Sequence, residues 1–189
     1  MAQASSTISG QKTFKSAITI SGTCTFTSAT KKITASGTSL SDLSVRDLIT
    51  VSGSASNNST FTISEVDANG TFVIVEEDVT SETVSADTVL TYVGFVTAKV
   101  KGDGYYSQTD GLHTVAYHVN ATCTGSLKMQ GSLATTPTED DFFDIDDTTF
   151  TTDQSTTINS VNFTGNFVWV RAKLTANTAG SVTKILFNN

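Results

Sequence analysis

Along residues 32–92, short runs of β-branched and aromatic residues alternate with clusters of turn formers. DLITVSG (47–53), TFTI (60–63) and TFVIV (71–75) are each too short for a stable helix and the right length for a strand. NNS (57–59) and DANG (67–70) separate them. Within the runs the period is two: Ile49 and Val51 stand against Thr50 and Ser52, and Phe61 and Ile63 against Thr60 and Thr62. Such alternation gives each strand one buried and one wet face. Residues 30–94 are therefore predicted to form a small β-barrel or sandwich module of roughly four or five strands. The stretch around 39–47 reads as a polar loop whose Leu40, Leu43 and Val45 plug one end of the module. Asn69 and Gly70 mark a hairpin turn, because that pair tolerates positive φ.

The same period continues through residues 95–189, with strand candidates at 96–101, 113–121, 126–133, 142–145, 160–163, 166–175 and 182–187. In 166–175, Val168, Val170, Ala172 and Leu174 make an aliphatic face. Phe167, Trp169, Arg171 and Lys173 make the other, which opens with aromatics and ends in two bases. This spacing predicts a C-terminal antiparallel β-sandwich, jelly-roll-like.

Residues 1–29 differ from both modules. From 14 to 26 the even positions carry Phe14, Ser16, Ile18, Ile20, Gly22, Cys24 and Phe26, and the odd positions are almost all polar. An alternating segment with no core of its own has to pair with something, either the body of its own chain or copies of itself. The pattern predicts an extended N-terminal β arm whose Phe14, Ile18, Ile20 and Phe26 form an interface in a homo-oligomer. The whole chain is thus expected to be all-β: an arm at 1–29, a small module at 30–94 and a sandwich at 95–189.

Composition narrows the partners. The net charge of −7 is the wrong sign for nucleic-acid binding, which needs a basic stripe. Charged residues make up 15% of the chain, below the usual ~25%, and Thr, Ser, Asn and Gly fill the surface instead. No apolar run approaches the ~20 residues of a membrane span. The opening MAQAS shows neither a basic nor an apolar region of a secretory signal, so synthesis and assembly in a cytoplasm are expected. Cys24 and Cys123 lie far apart between threonines, which suits small buried thiols rather than a disulfide framework.

Catalytic and metal motifs are sparse. His113 and His118 are five apart and so lie on opposite faces of one strand. The sequence shows no nucleophile elbow, no phosphate loop and no Cys/His ligand spacing. Glu76, Glu77, Asp78 and Glu82 read as a solvated edge. The carboxylates between Glu139 and Asp147 surround Phe142 and Phe143, and an EF-hand count from Asp144 fails at Thr149 and Ser155. That segment reads as a polar loop anchored by its two phenylalanines. Neither a cofactor nor an enzymatic activity is expected. The Gly-Asp-rich stretch 102–111 carries adjacent Tyr105 and Tyr106. With Trp169, these suit either a subunit contact or a host glycan held by stacking and by hydrogen bonds from Asp and Gln.

ITASG (33–37), DLITVSGS (47–54) and NSTFTI (58–63) together resemble a small β module of tailed-bacteriophage virion proteins. Where that pattern has Val-Gly-Asp ahead of the strand, this chain has Val45, Arg46 and Asp47, so the glycine turn is altered. LKMQGSL (127–133), DFFDI (141–145), TGNFVWVRAK (164–173) and GSV (180–182) resemble the terminal sandwich of phage structural proteins, those of cyanophages included. The arm itself looks like the intertwined shafts of trimeric phage fibres, a resemblance that favours a trimer. The resemblance implies a non-enzymatic virion protein, located on the particle and assembled in the host cytoplasm. Such a protein is of decoration or fibre type and binds other virion subunits. A glycan-binding tail-fibre module is the alternative. The family carries no catalytic residues to transfer.

Overall fold

A computed structural model describes residues 6–85, 87–106 and 111–188. In chain order the first strands are β1 (Ser6–Ser9), β2 (Lys12–Thr13), β3 (Ile18–Thr19), β4 (Thr23–Thr27), β5 (Lys32–Ala35) and β6 (Asp47–Ser52). Then come β7 (Thr60–Val66), β8 (Phe72–Val75), β9 (Glu82–Ser85), β10 (Val89–Val96), β11 (Val100–Lys101) and β12 (Leu112–Val119). The last are β13 (Ser126–Ser132), β14 (Phe143–Asp144), β15 (Phe150–Thr151), β16 (Ile158–Thr164), β17 (Trp169–Thr175) and β18 (Ser181–Asn188). The described helical pieces are 3₁₀ turns at Ser28–Thr30, Asp103–Tyr106 and Glu139–Asp141. The chain is all-β and antiparallel, consistent with a β-sandwich.

The chain divides into two compact units. Lys15–Phe95 forms an inserted unit, and Met1–Phe14 joins Val96–Asn189 in a terminal unit. The expected separate arm at 1–29 is therefore not a unit. Its first part folds with the chain's last strand, β1 and β2 both pairing antiparallel with β18. Its second part enters the inserted unit, β3 pairing with β10 and β4 lying between β5 and β9.

In the inserted unit the sheet runs β10-β6-β7-β8-β5-β4-β9. The period of two is realised in β4 and β5, whose alternate residues Cys24, Phe26, Ile33 and Ala35 are buried. Ile20 and Phe26 are core residues, sealed against Leu40, Ile49, Phe61, Ile63 and Val73, and Ile18 packs against the same cluster. Phe14 is half-buried, its N–H donating to the Gly180 carbonyl at 2.9 Å. The interface role expected of Ile20 and Phe26 is thus overturned: burying them inside their own unit keeps their apolar surface from water without a second copy. The trimer expectation loses that ground.

Loops follow side-chain chemistry. Leu40 and Leu43 plug the inserted unit as expected, whereas Val45 is exposed. Gly70 takes φ +67° in the 67–72 turn, which the Asp67 carboxylate caps by accepting from Thr71 N–H and Oγ1. Arg46, where the phage pattern carries glycine, sits at φ +70°. A non-glycine residue is strained in that region. Of the carboxylates expected at a solvated edge, Glu76 and Asp78 are exposed, whereas Glu77 and Glu82 are bound. Glu77 accepts from Thr62 N–H and Oγ1 at 2.7 and 2.8 Å, and Glu82 accepts from Ser54 Oγ, Asn57 Nδ2 and the N–H groups of Ala55 and Ser56. These donors, led by Ser54, hold the Glu82 carboxyl below its ordinary range.

In the terminal unit one sheet is ordered β1-β18-β12-β16, with β2 also on β18. The other gathers β14, β15 and β17 on β13, with β11 on the far side of β17. Aromatic contacts link them. Tyr117 of β12 stacks on Phe150 of β15 at 6.2 Å and donates to the Thr148 carbonyl. The Trp169–Arg171–Lys173 face of β17 is largely covered. Arg171 is buried, forks onto Glu139 at 2.6 and 2.8 Å, donates from Nε to Gln130 and lies 3.7 Å from the Phe142 ring. Cys24 and Cys123 are free and buried, and burial pushes the Cys24 thiol up to about 11.

Candidate functional site

Tyr105, Tyr106 and Trp169 come together at one edge of the terminal unit. The cause is backbone register. β11 pairs Lys101 with Trp169 and Val100 with Val170, and the chain then turns tightly over the start of β17. Gly102 N–H donates to the Val168 carbonyl and Gly104 N–H to the Phe167 carbonyl, at 3.1 and 3.0 Å. The approach is so close that a Cβ on Gly102 would meet the Phe167 oxygen at 2.5 Å, and one on Gly104 the Asn166 oxygen at 2.4 Å. Glycine is required at both positions. The short 3₁₀ turn that follows presents the two tyrosines.

The rings meet edge to face. Tyr105 lies 5.3 Å from Trp169 and 5.3 Å from Tyr106, at interplanar angles of 62° and 72°. Each such pair contributes about 0.5–1.5 kcal/mol beyond its buried area. Two lysines complete the cluster: Lys101 Nζ sits 3.9 Å from the Tyr105 centroid and 5.6 Å from that of Tyr106, and Lys99 Nζ sits 5.3 Å over Trp169. Trp169 donates its indole N–H to the Thr135 carbonyl at 3.1 Å. Tyr105 and Tyr106 remain 42% and 52% exposed, which is much for rings of that size.

A pyranose stacks on an open ring face, yet ammonium groups lie over Tyr105 and Trp169. The cluster is an amphipathic ridge of aromatic edges and lysine stems. The Asp and Gln expected to assist a sugar, Asp110 and Gln108, lie outside the described residues, and Asp103 is buried. Sequence reasoning found the three aromatics but missed Lys99 and Lys101, whose convergence is set by the β11–β17 register.

The remaining candidates are structural. His113 is buried among Phe163, Phe187 and Phe167, with ring centroids 5.0, 5.6 and 6.0 Å away, and its Nε2 lies 2.9 Å from the Gly165 carbonyl. The carboxylates of 139–147 go to different partners: Glu139 to Arg171, Asp141 to Thr138, and Asp144 to Lys128 and Gln130. A shallow cleft of about 560 Å³ lies beside them, floored by Phe143, Phe163 and Phe167 and rimmed by Asp146 and Asp147. No protein-family model matches the chain, and no curated protein matches it in sequence.

Proposed function

We propose that this chain is a non-enzymatic structural protein of a bacteriophage virion. It would be an accessory decoration or fibre-type protein that binds neighbouring capsid, neck or tail subunits. The virion assignment rests on the sequence resemblance. The contact assignment rests on one observation, the half-exposed Tyr105–Tyr106–Trp169 ridge with lysines seated on its ring faces. The binding surface of this reading is on the terminal unit, because the opening strands are committed to their own chain.

Particles assembled with a Tyr105→Ala/Tyr106→Ala chain test the reading. Loss of the protein from purified virions, with its folding intact, is the expected outcome. Incorporation at the normal copy number would refute it. A glycan-binding tail-fibre module is the second reading, favoured by the Tyr106 ring, which is more than half exposed. Saturable binding of the isolated protein on a glycan array, lost in the same double variant, would establish that reading instead.

A further inference from the structure

β16 ends its sheet, pairing with β12 on one side and with no other described strand. It is an unusual edge. Its seven residues, Ile158–Thr164, contain no charge and no proline, and its register with β12 runs without a bulge. The opposite edge of the same sheet, β1, is four residues long and bulged between Thr7 and Ser9. Edges are normally blunted by such bulges, by shortness, by charge or by proline, since an open row of backbone groups is a template for another strand. β1 is blunted and β16 is not.

The hydrogen bonds show which groups face outward. Gly165 N–H donates to the Gly111 carbonyl just beyond one end of the β12–β16 ladder, and Val119 N–H to the Thr157 carbonyl just beyond the other. Bonded and non-bonded pairs alternate in an antiparallel ladder. Asn159, Val161 and Phe163 therefore turn their backbone groups toward β12. Ile158, Ser160, Asn162 and Thr164 turn theirs away, and these four residues are the exposed ones.

We propose that β16 pairs antiparallel with β16 of a second copy of this chain, about a two-fold axis at Val161. That register sets Ile158 opposite Thr164, Ser160 opposite Asn162 and Val161 opposite itself. All four outward-facing residues of each copy then bond, giving about eight backbone hydrogen bonds across the seam. Shifting the centre to Ser160 or Asn162 leaves fewer of them paired. The register also keeps each face consistent. In the inward row Val161 meets itself and Asn159 meets Phe163, and in the outward row Ser160 meets Asn162 as a polar pair. Ile158 of one copy and Leu112 of the other, 56% and 53% exposed alone, come to flank Thr164. The occupant is argued from charge as well. Copies of a chain with net charge −7 repel one another over most of their surface, and a strand without charges is where two of them meet at least cost.

A seven-residue seam is small, so the pair is expected at concentrations on the order of ten micromolar and above. Sedimentation and native mass spectrometry of the intact chain should show 19.9 kDa at low concentration and twice that at high concentration. Ser160→Pro deletes an outward-facing N–H, and Ile158→Lys charges the seam. Neither touches the bonds to β12, and both variants should remain monomeric with an unchanged circular dichroism spectrum. Hydrogen exchange supplies a reading that needs no variant. The amides of Ile158, Ser160, Asn162 and Thr164 should become protected as concentration rises, while those of Val161 and Phe163 are protected throughout. A wild-type chain that stays monomeric overturns the proposal. So does a pair that survives both substitutions, or protection of these amides only on virions, which would make the occupant a strand of another protein.

Discussion

In the inserted unit Glu77 and Glu82 turn their carboxylates onto the unit's own loops, and Val45 is the one large apolar side chain left exposed among the described residues. In the terminal unit Tyr105, Tyr106, Leu112, Leu133, Phe143 and Ile158 all stand exposed. Both units are antiparallel β structures cut from one Thr-rich chain, yet the large exposed apolar side chains stand mostly on one of them. Scattered exposed apolar residues mean little, but an aromatic ridge and an unguarded strand edge in one unit are the features on which the proposed contacts rest. The inserted unit is completed by two strands from the chain's beginning, β3 and β4.

Breaking that contrast starts with the core. Phe26→Ala should cost about 3–5 kcal/mol in denaturant unfolding, because the ring is sealed inside the inserted unit. A cost under about 1 kcal/mol would mean that β4 is not part of that core. In the terminal unit, Glu139→Ala leaves the Arg171 guanidinium buried without its fork. The expected loss is about 2–3 kcal/mol, less than for a fully buried pair, since 23% of the Glu139 side chain is wet.

Acid should weaken both units. Asp67 and Glu82 in the inserted unit, and Asp141 and Asp153 in the terminal one, have carboxyls held below their ordinary values by the hydrogen bonds they accept. A group depressed in the folded state adds stability above its unfolded value, near pH 4, and loses it as pH falls through the folded value. The thermal midpoint should therefore drop below about pH 4, and Glu82→Gln should flatten the inserted unit's share of that drop. An unchanged acid limb in that variant would contradict the role given to Glu82.

Smaller changes sharpen the contrast. Arg46→Gly should raise stability by up to about 1 kcal/mol by relieving the left-handed backbone at that position, as read by the denaturation midpoint. The double variant Tyr105→Ala/Tyr106→Ala removes both ring pairs and the proposed contact surface, and should cost about 1–3 kcal/mol. A large loss there would make the ridge part of the terminal unit's frame rather than its exterior.

The alternation at 47–53, 60–63 and 166–175 carried the strands into view, because a period of two is a local property of the chain. Strand partners are not local. Residues 14–26 showed their apolar row plainly, but their neighbours lie at 32–35, 82–85, 88–90 and 180, and no nearby residue announces them. A buried strand and an oligomerisation arm therefore read alike. β15 is two residues long and leaves no period to detect. The altered turn at Arg46 was legible, and its positive φ shows what the missing glycine would have supplied. At the site, adjacent tyrosines in a glycine-rich stretch could be seen, whereas their lysines arrive through strand register. Whether β16 lies at an edge depends on the sheet order, which alternation does not encode.

Residue-resolved hydrogen exchange on the dilute, monomeric chain reads both halves at once. The account predicts that the amides of Cys24 and Phe26 are protected like those of Ile49 and Val51, while those of Ile158, Ser160, Asn162 and Thr164 exchange freely. Exchange of Cys24 and Phe26 at the rate of an unstructured segment would contradict it, restoring the opening residues as a loose arm.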